Sequence, residues 1–282
     1  MESVNKGIVF VGDSYTWGHG LWQYYPNLWY EQDDGITDAY TSNPSLSKFH
    51  LANRWVRIVA NHFKTFEMVR KFTAGSDYES LSSLSQFFND GISQYPGIKH
   101  DNESTLNYRD ISYVIFGTSY LDRCPLIKPL PTDELTYLED VSPDLIMDMG
   151  FSNVEEFLEY HKRYYFHRIK TKLMELEDRG VKTLIWNVTP IYKELFSNDE
   201  WMTERLIPMK YKNDSVFNIE ELMNKHKHLI LSEDLYFKKY QDRNPPNDGH
   251  PSLYAQQVIA DSVINSIEKR NSEELIKKMK KN

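Results

Sequence analysis

The segment GIVFVGDSYTWG, residues 7–18, carries the decision about the fold. Gly7 to Val11 is a short β-branched run, bounded at once by Gly12, Asp13 and Ser14, which break the apolar pattern and offer N-capping side chains to a following helix. Four further runs of the same kind recur: FEMVRKF from Phe66, ISYVIFG from Ile111, VKTLIWNV from Val181 and HLILS from His228. Helical stretches separate them, and such alternation predicts a parallel sheet. The strongest helix is expected over 152–179. Ser152 and Glu155 have the spacing of a capping box, Val154, Phe157, Leu158, Tyr165, Ile169, Leu173 and Leu176 form an apolar stripe, and Gly180 follows as a C′ residue. The strand from Val181 begins immediately, as in a βαβ unit. These features predict an α/β chain with five parallel strands in a doubly wound, three-layer α/β/α sandwich, one domain over 1–282.

Two excursions interrupt the alternation. Residues 19–50 are rich in aromatics, with Trp22, Tyr24, Tyr25, Trp29 and Tyr30, and read as an insertion. Residues 120–151 carry Pro125, Pro129, Pro131 and Pro143, which predicts mostly irregular structure with one helical turn.

Bulk properties narrow the functional classes. With 282 residues, 40% hydrophobic and 26% charged, the chain is long enough to bury a core. A formal net charge of -8 and no long basic stripe give no electrostatic reason to meet a phosphate backbone, so nucleic acid is not an expected partner. Lys277, Lys278, Lys280 and Lys281 read as a solvated helix end. A lone Cys124 rules out an internal disulfide framework and suits a reducing compartment. The polar start MESVNK and the short run after it do not form a signal peptide, and no stretch approaches a membrane span. The expected location is cytoplasmic or virion-associated.

In an open parallel sheet, ligands bind beyond the carboxyl ends of the strands. Ser14 stands there after the first strand, where a hydroxyl can serve as a nucleophile or simply cap a helix. Near the other end of the chain, Asp248, His250 and Pro251 precede an amphipathic helix containing Leu253, Val258, Ile259, Val263 and Ile267. Acyl transfer through serine needs an imidazole to take the hydroxyl proton and a carboxylate to hold its tautomer. Asp248 and His250 supply both groups, although D-G-H-P-S also reads as a turn and helix start.

G-D-S near one end and D-x-H-P near the other resemble the SGNH, or GDSL, hydrolase superfamily over nearly the whole chain. The resemblance implies a flavodoxin-like sandwich and a catalytic set of Ser14, Asp248 and His250. It implies an oxyanion hole from the Ser14 N–H and from Gly75 after the second strand. The third block of that family is G-x-N-D, whereas this chain has Gly117, Thr118, Ser119 and Tyr120, so a hydroxyl of Thr118 or Ser119 is expected to donate instead. The G-T-S-x-x-x-R pattern resembles variants from tailed-phage genomes. Its Arg123 is expected at the substrate side with Asp13 and Trp17, or in a surface ion pair. The usual D-x-x-H spacing would place Asn247 at the acid position; Asp248 is chosen because an amide cannot stabilise imidazolium. Asn187 to Pro190 also resemble the loop that the family has there.

The expected activity is hydrolysis of acyl esters, with no metal or cofactor. Trp17 and the aromatic excursion suit a sugar face, which points to O-acetyl groups on a glycan, or else serve burial and protein assembly. Two alternatives stay open: a non-catalytic module of a larger assembly such as a virion, and acyl transfer to a sugar hydroxyl.

Overall fold

The computed structural model describes residues 7–18, 21–25, 44–65, 67–70, 76–90, 111–125, 142–238 and 249–280. Along the chain these form β1 (Gly7–Val11), α1 (Ser14–Trp17), α2 (Pro44–Asn53), α3 (Trp55–His62), β2 (Glu67–Arg70), α4 (Asp77–Asp90) and β3 (Ile111–Thr118). There follow α5 (Pro143–Asp148), α6 (Val154–Asp178), β4 (Lys182–Asn187), α7 (Lys193–Ser197), α8 (Glu200–Thr203), β5 (Met209–Tyr211), β6 (Asp214–Val216), α9 (Ile219–Lys225), α10 (Leu231–Lys238) and α11 (Leu253–Met279). Short 3-10 turns stand at Leu21–Tyr24, Leu121–Arg123 and Lys227–Leu229. The chain divides into two compact units, Met1–Asp13 with Met68–Leu206, and Ser14–Glu67 with Ile207–Asn282.

The first unit holds the sheet, in the order β2-β1-β3-β4. β1 pairs parallel with β3, and β3 with β4 in a register that sets Thr118 opposite Asn187. Every residue of β1 is buried, as is all of β3 but Ser112. That explains the unbroken apolar runs: a strand covered on both faces has no solvent side on which to alternate. The chain runs from β1 to one neighbour and returns to the other, so the strand order reverses at β1 and β3.

The long helix α6 forms where it is expected, with its cap shifted by one residue. Asn153, not Ser152, is the N-cap, accepting from the Glu156 N–H, while Glu156 accepts from the Ser152 N–H. The box is therefore read one residue too early, and Val154 of the expected stripe lies exposed at the first turn. Phe157, His161, Tyr165, Ile169, Leu173 and Leu176 make the buried face at helical spacing. Gly180 closes the helix at φ +83°, a conformation that favours glycine. A reciprocal capping box that the sequence also carries, Ser76 with Glu79, starts α4.

A fifth strand does not form where it is expected. HLILS becomes a 3-10 turn, a single antiparallel bridge from Ile230 to Pro251, and the start of α10. The residues after it explain why. Glu233 and Asp234 sit in the first turn of that helix, where acidic groups are favourable, and Leu231 and Leu235 bury one helical face. Beside β4 there is one parallel bridge, Ile185 to Leu206.

In the second unit α11 packs along α3 and against β5. Its buried residues run from Ala255 to Ile267, after which the helix continues with exposed Leu275, Ile276 and Met279. β5 and β6 form a two-residue hairpin that the sequence reading misses, because Lys212, at φ +53°, stands where Gly or Asn marks such turns. Of the two excursions, the described parts are the turn Leu21–Tyr24, most of α2, Leu121–Arg123 and α5. No helix among the described residues is long and apolar enough to cross a membrane.

Candidate active site

Ser14 opens α1 directly after the β1 turn and is 9% exposed. Its helix is short, ending at Gly18 with φ +77°. There the Gly18 carbonyl bonds the His50 ring at 2.9 Å, and a Cβ would meet Arg54 and Leu21 side-chain carbons at 3.0 Å. Both the backbone angle and the close packing call for glycine at that position. One turn back, the Tyr15 carbonyl receives the Trp55 indole N–H at 3.2 Å. The backbone that carries Ser14 is thus tied to α2 and α3.

His250 is positioned by two backbone hydrogen bonds around the Ile230–Pro251 bridge. Leu231 N–H donates to the His250 carbonyl and Ser252 N–H to the Leu229 carbonyl, both at 2.8 Å. Ser252 then caps α11, its hydroxyl accepting from Ala255 N–H and donating to the His228 carbonyl at 2.9 Å. With the turn fixed on both sides, the imidazole Nε2 lies 2.8 Å from Ser14 Oγ, across 236 residues of sequence. This is the serine–imidazole contact expected of a nucleophile and its base. The Tyr15 ring packs 5.1 Å from the His250 ring at 43°, and its hydroxyl reaches the Gly249 carbonyl at 3.4 Å.

In the first unit, a polar cluster stands where the strand order reverses. The Ser119 hydroxyl donates to Asp13 at 2.8 Å, and its backbone N–H donates to Asp77 at 2.8 Å. Asp77 also receives the Tyr192 hydroxyl at 2.8 Å. Burial, with the charge of Asp13 adding to it, raises the Asp77 carboxyl to about 7 against the pull of the Ser119 and Tyr192 hydrogen bonds. The same burial, with Asp77 beside it, holds Tyr192 well above the ordinary phenol range. Thr118 donates to Asn187 Oδ1 at 2.7 Å, across the β3–β4 register. Arg123 is 40% exposed, lies 3.8 Å from Asp13 and covers the Tyr120 ring at 4.5 Å.

The structure therefore brings Ser14 and His250 together and gathers Asp13, Ser119 and Arg123. The hydroxyl hydrogens of Thr118 and Ser119, expected as oxyanion donors, are directed to Asn187 and Asp13. Asp248, Gly75 and the Trp17 side chain lie outside what is described. Among the described residues no group of three or more His, Cys, Asp or Glu could hold a metal ion. Sequence reasoning misses Tyr15, Asp77 and Tyr192. For Asp77 a signal exists in the Ser76–Glu79 box that begins its helix; for Tyr192 none does.

No protein-family model matches the sequence, and no curated protein matches it. A comparison with solved structures finds two that are similar to the chain. One is of a protein described as lipolytic, of the G-D-S-L family, from Desulfitobacterium hafniense DCB-2, at 11% identity and a TM-score of 0.36, over 93% of this chain and 99% of that one. The other is of a carbohydrate esterase whose active site displays divergent catalytic and non-catalytic binding functions, at 12% identity and a TM-score of 0.42, over 95% of this chain and 66% of that one.

Proposed function

We propose that the chain is a serine esterase of SGNH type, with Ser14 as nucleophile, His250 as general base and Asp248 as the residue that orients the imidazole. The 2.8 Å contact between Ser14 Oγ and His250 Nε2 carries the reading. It takes the parallel sheet as that of a doubly wound, flavodoxin-like sandwich. In the resting state the Ser14 hydroxyl donates to Nε2, which requires the hydrogen of the neutral ring to sit on Nδ1.

When an ester enters, Oγ attacks the acyl carbon and its proton passes to Nε2, while the carbonyl electron pair moves onto oxygen. The Ser14 backbone N–H is the donor assigned to that oxyanion. Imidazolium then returns the proton to the leaving alkoxide, the C–O bond breaks, and an alcohol departs from an acyl-serine. Water attacks this ester with His250 again as base, releasing the acid and restoring the hydroxyl. Short acyl groups, above all O-acetyl on a glycan, are the substrate class assigned.

Turnover of p-nitrophenyl acetate together with labelling by a fluorophosphonate tests the proposal. Both signals are expected from the full chain, and both should vanish in Ser14→Ala. A second reading, a non-catalytic module of a larger assembly, is favoured by the engagement of the Thr118 and Ser119 hydroxyl hydrogens elsewhere. A folded protein silent in both assays would select it. With an added sugar acceptor, acylated sugar forming faster than free acid would identify a transferase instead.

A further inference from the structure

We infer that Tyr15 is a positioning residue for the esterase reaction, acting through the His250 ring; the inference rests on the serine–histidine reading and extends it. Backbone bonds fix the His250 turn, and Nε2 can meet Ser14 in few of the staggered rotamers of the imidazole. Tyr15 supplies a wall against one side of the ring in the rotamer that does. It is 6% exposed, with its ring 5.1 Å from the imidazole, and it follows Ser14 directly on α1. Nucleophile and wall therefore share one rigid turn.

That turn is itself held from the side of the base. The fully buried Trp55 donates its indole N–H to the Tyr15 carbonyl at 3.2 Å, and its backbone N–H to Gln256 Oε1 at 3.0 Å. Gln256 lies on α11, the helix that Ser252 caps just after His250. The contacts close a circuit: His250 to α11, α11 to Trp55, Trp55 to Tyr15, and Tyr15 back to the His250 ring. A displacement of the ring relative to Ser14 must strain this loop somewhere. Misplacing reacting groups by about 1 Å can cost on the order of 100-fold in rate.

The test compares Tyr15→Leu, Tyr15→Phe and Trp55→Phe with the wild-type chain on p-nitrophenyl acetate, reading kcat and KM separately, with the fluorophosphonate labelling rate beside them. Tyr15→Leu should lose about tenfold or more in kcat, with KM within about twofold and labelling slowed in parallel. Tyr15→Phe, which restores the ring without the hydroxyl, should recover most of that loss. Trp55→Phe, which keeps an aromatic ring but lacks the indole donor, should lower kcat by about threefold with KM unchanged; it decides the matter if Tyr15→Leu does not fold. Wild-type kcat in Tyr15→Leu, or in Trp55→Phe should the former not fold, overturns the role of Tyr15 alone, provided the rate still depends on Ser14. A loss in Tyr15→Leu that Tyr15→Phe leaves unrecovered also overturns it. A folded wild type without turnover or labelling overturns the esterase reading and this inference together.

Discussion

Ser14 and Ser119 follow neighbouring parallel strands, both are buried, and both hydroxyls have a partner at 2.8 Å. For Ser119 the partner is the Asp13 carboxylate; for Ser14 it is an imidazole nitrogen. Exposure and distance barely distinguish them, whereas the chemistry of the partner does. A carboxylate only accepts, while an imidazole can accept at one nitrogen and donate at the other, the pair of roles that relaying a proton needs. On the proposed reading the Ser119 cluster stays put and the Ser14 pair exchanges a proton. Whether a buried serine reacts depends on what faces it.

The largest effect expected from this contrast is the loss of all turnover and labelling in Ser14→Ala, with both retained in Ser119→Ala. Equal silence in the two variants would erase the distinction. Next, His250→Gln should keep a hydrogen-bond partner for Ser14 while removing the base, lowering kcat by about 100- to 10,000-fold.

The static cluster has its own pH signature. With the Asp77 carboxyl raised to about 7 in the native state against an ordinary 3.8, the folded chain binds the extra proton between those values. Its contribution therefore favours folding at the acid end and is lost as pH rises from about 4 to 7, by at most about 4 kcal/mol. Asp77→Asn should flatten that fall, read as denaturation midpoints from pH 5 to 8. A smaller change belongs to Ser119→Ala, which deprives Asp13 of a donor and should cost about 1 to 3 kcal/mol in urea unfolding.

How far the sequence reveals these features follows from how local their causes are. β1 and its turn are legible because an apolar run broken by Gly12-Asp13-Ser14 signals strand and stop within eight residues. His250 is legible because its turn is anchored by the cap of the helix it precedes. The HLILS segment misleads, since five residues fit a strand equally well and the acidic turn after them decides for a helix. The Asp13–Ser119–Asp77–Tyr192 cluster is not legible at all. Its members come from four separate stretches, and only sheet register and burial bring them together.

The 236 residues between Ser14 and His250 have a consequence for the life of the polypeptide. A ribosome delivers Ser14 long before it delivers His250. Until both segments of the second unit have emerged and met, the proposed serine–imidazole pair does not exist and Ser14 is an ordinary alcohol. A cut between the two residues that let the His250 segment go would undo that pair in the same way.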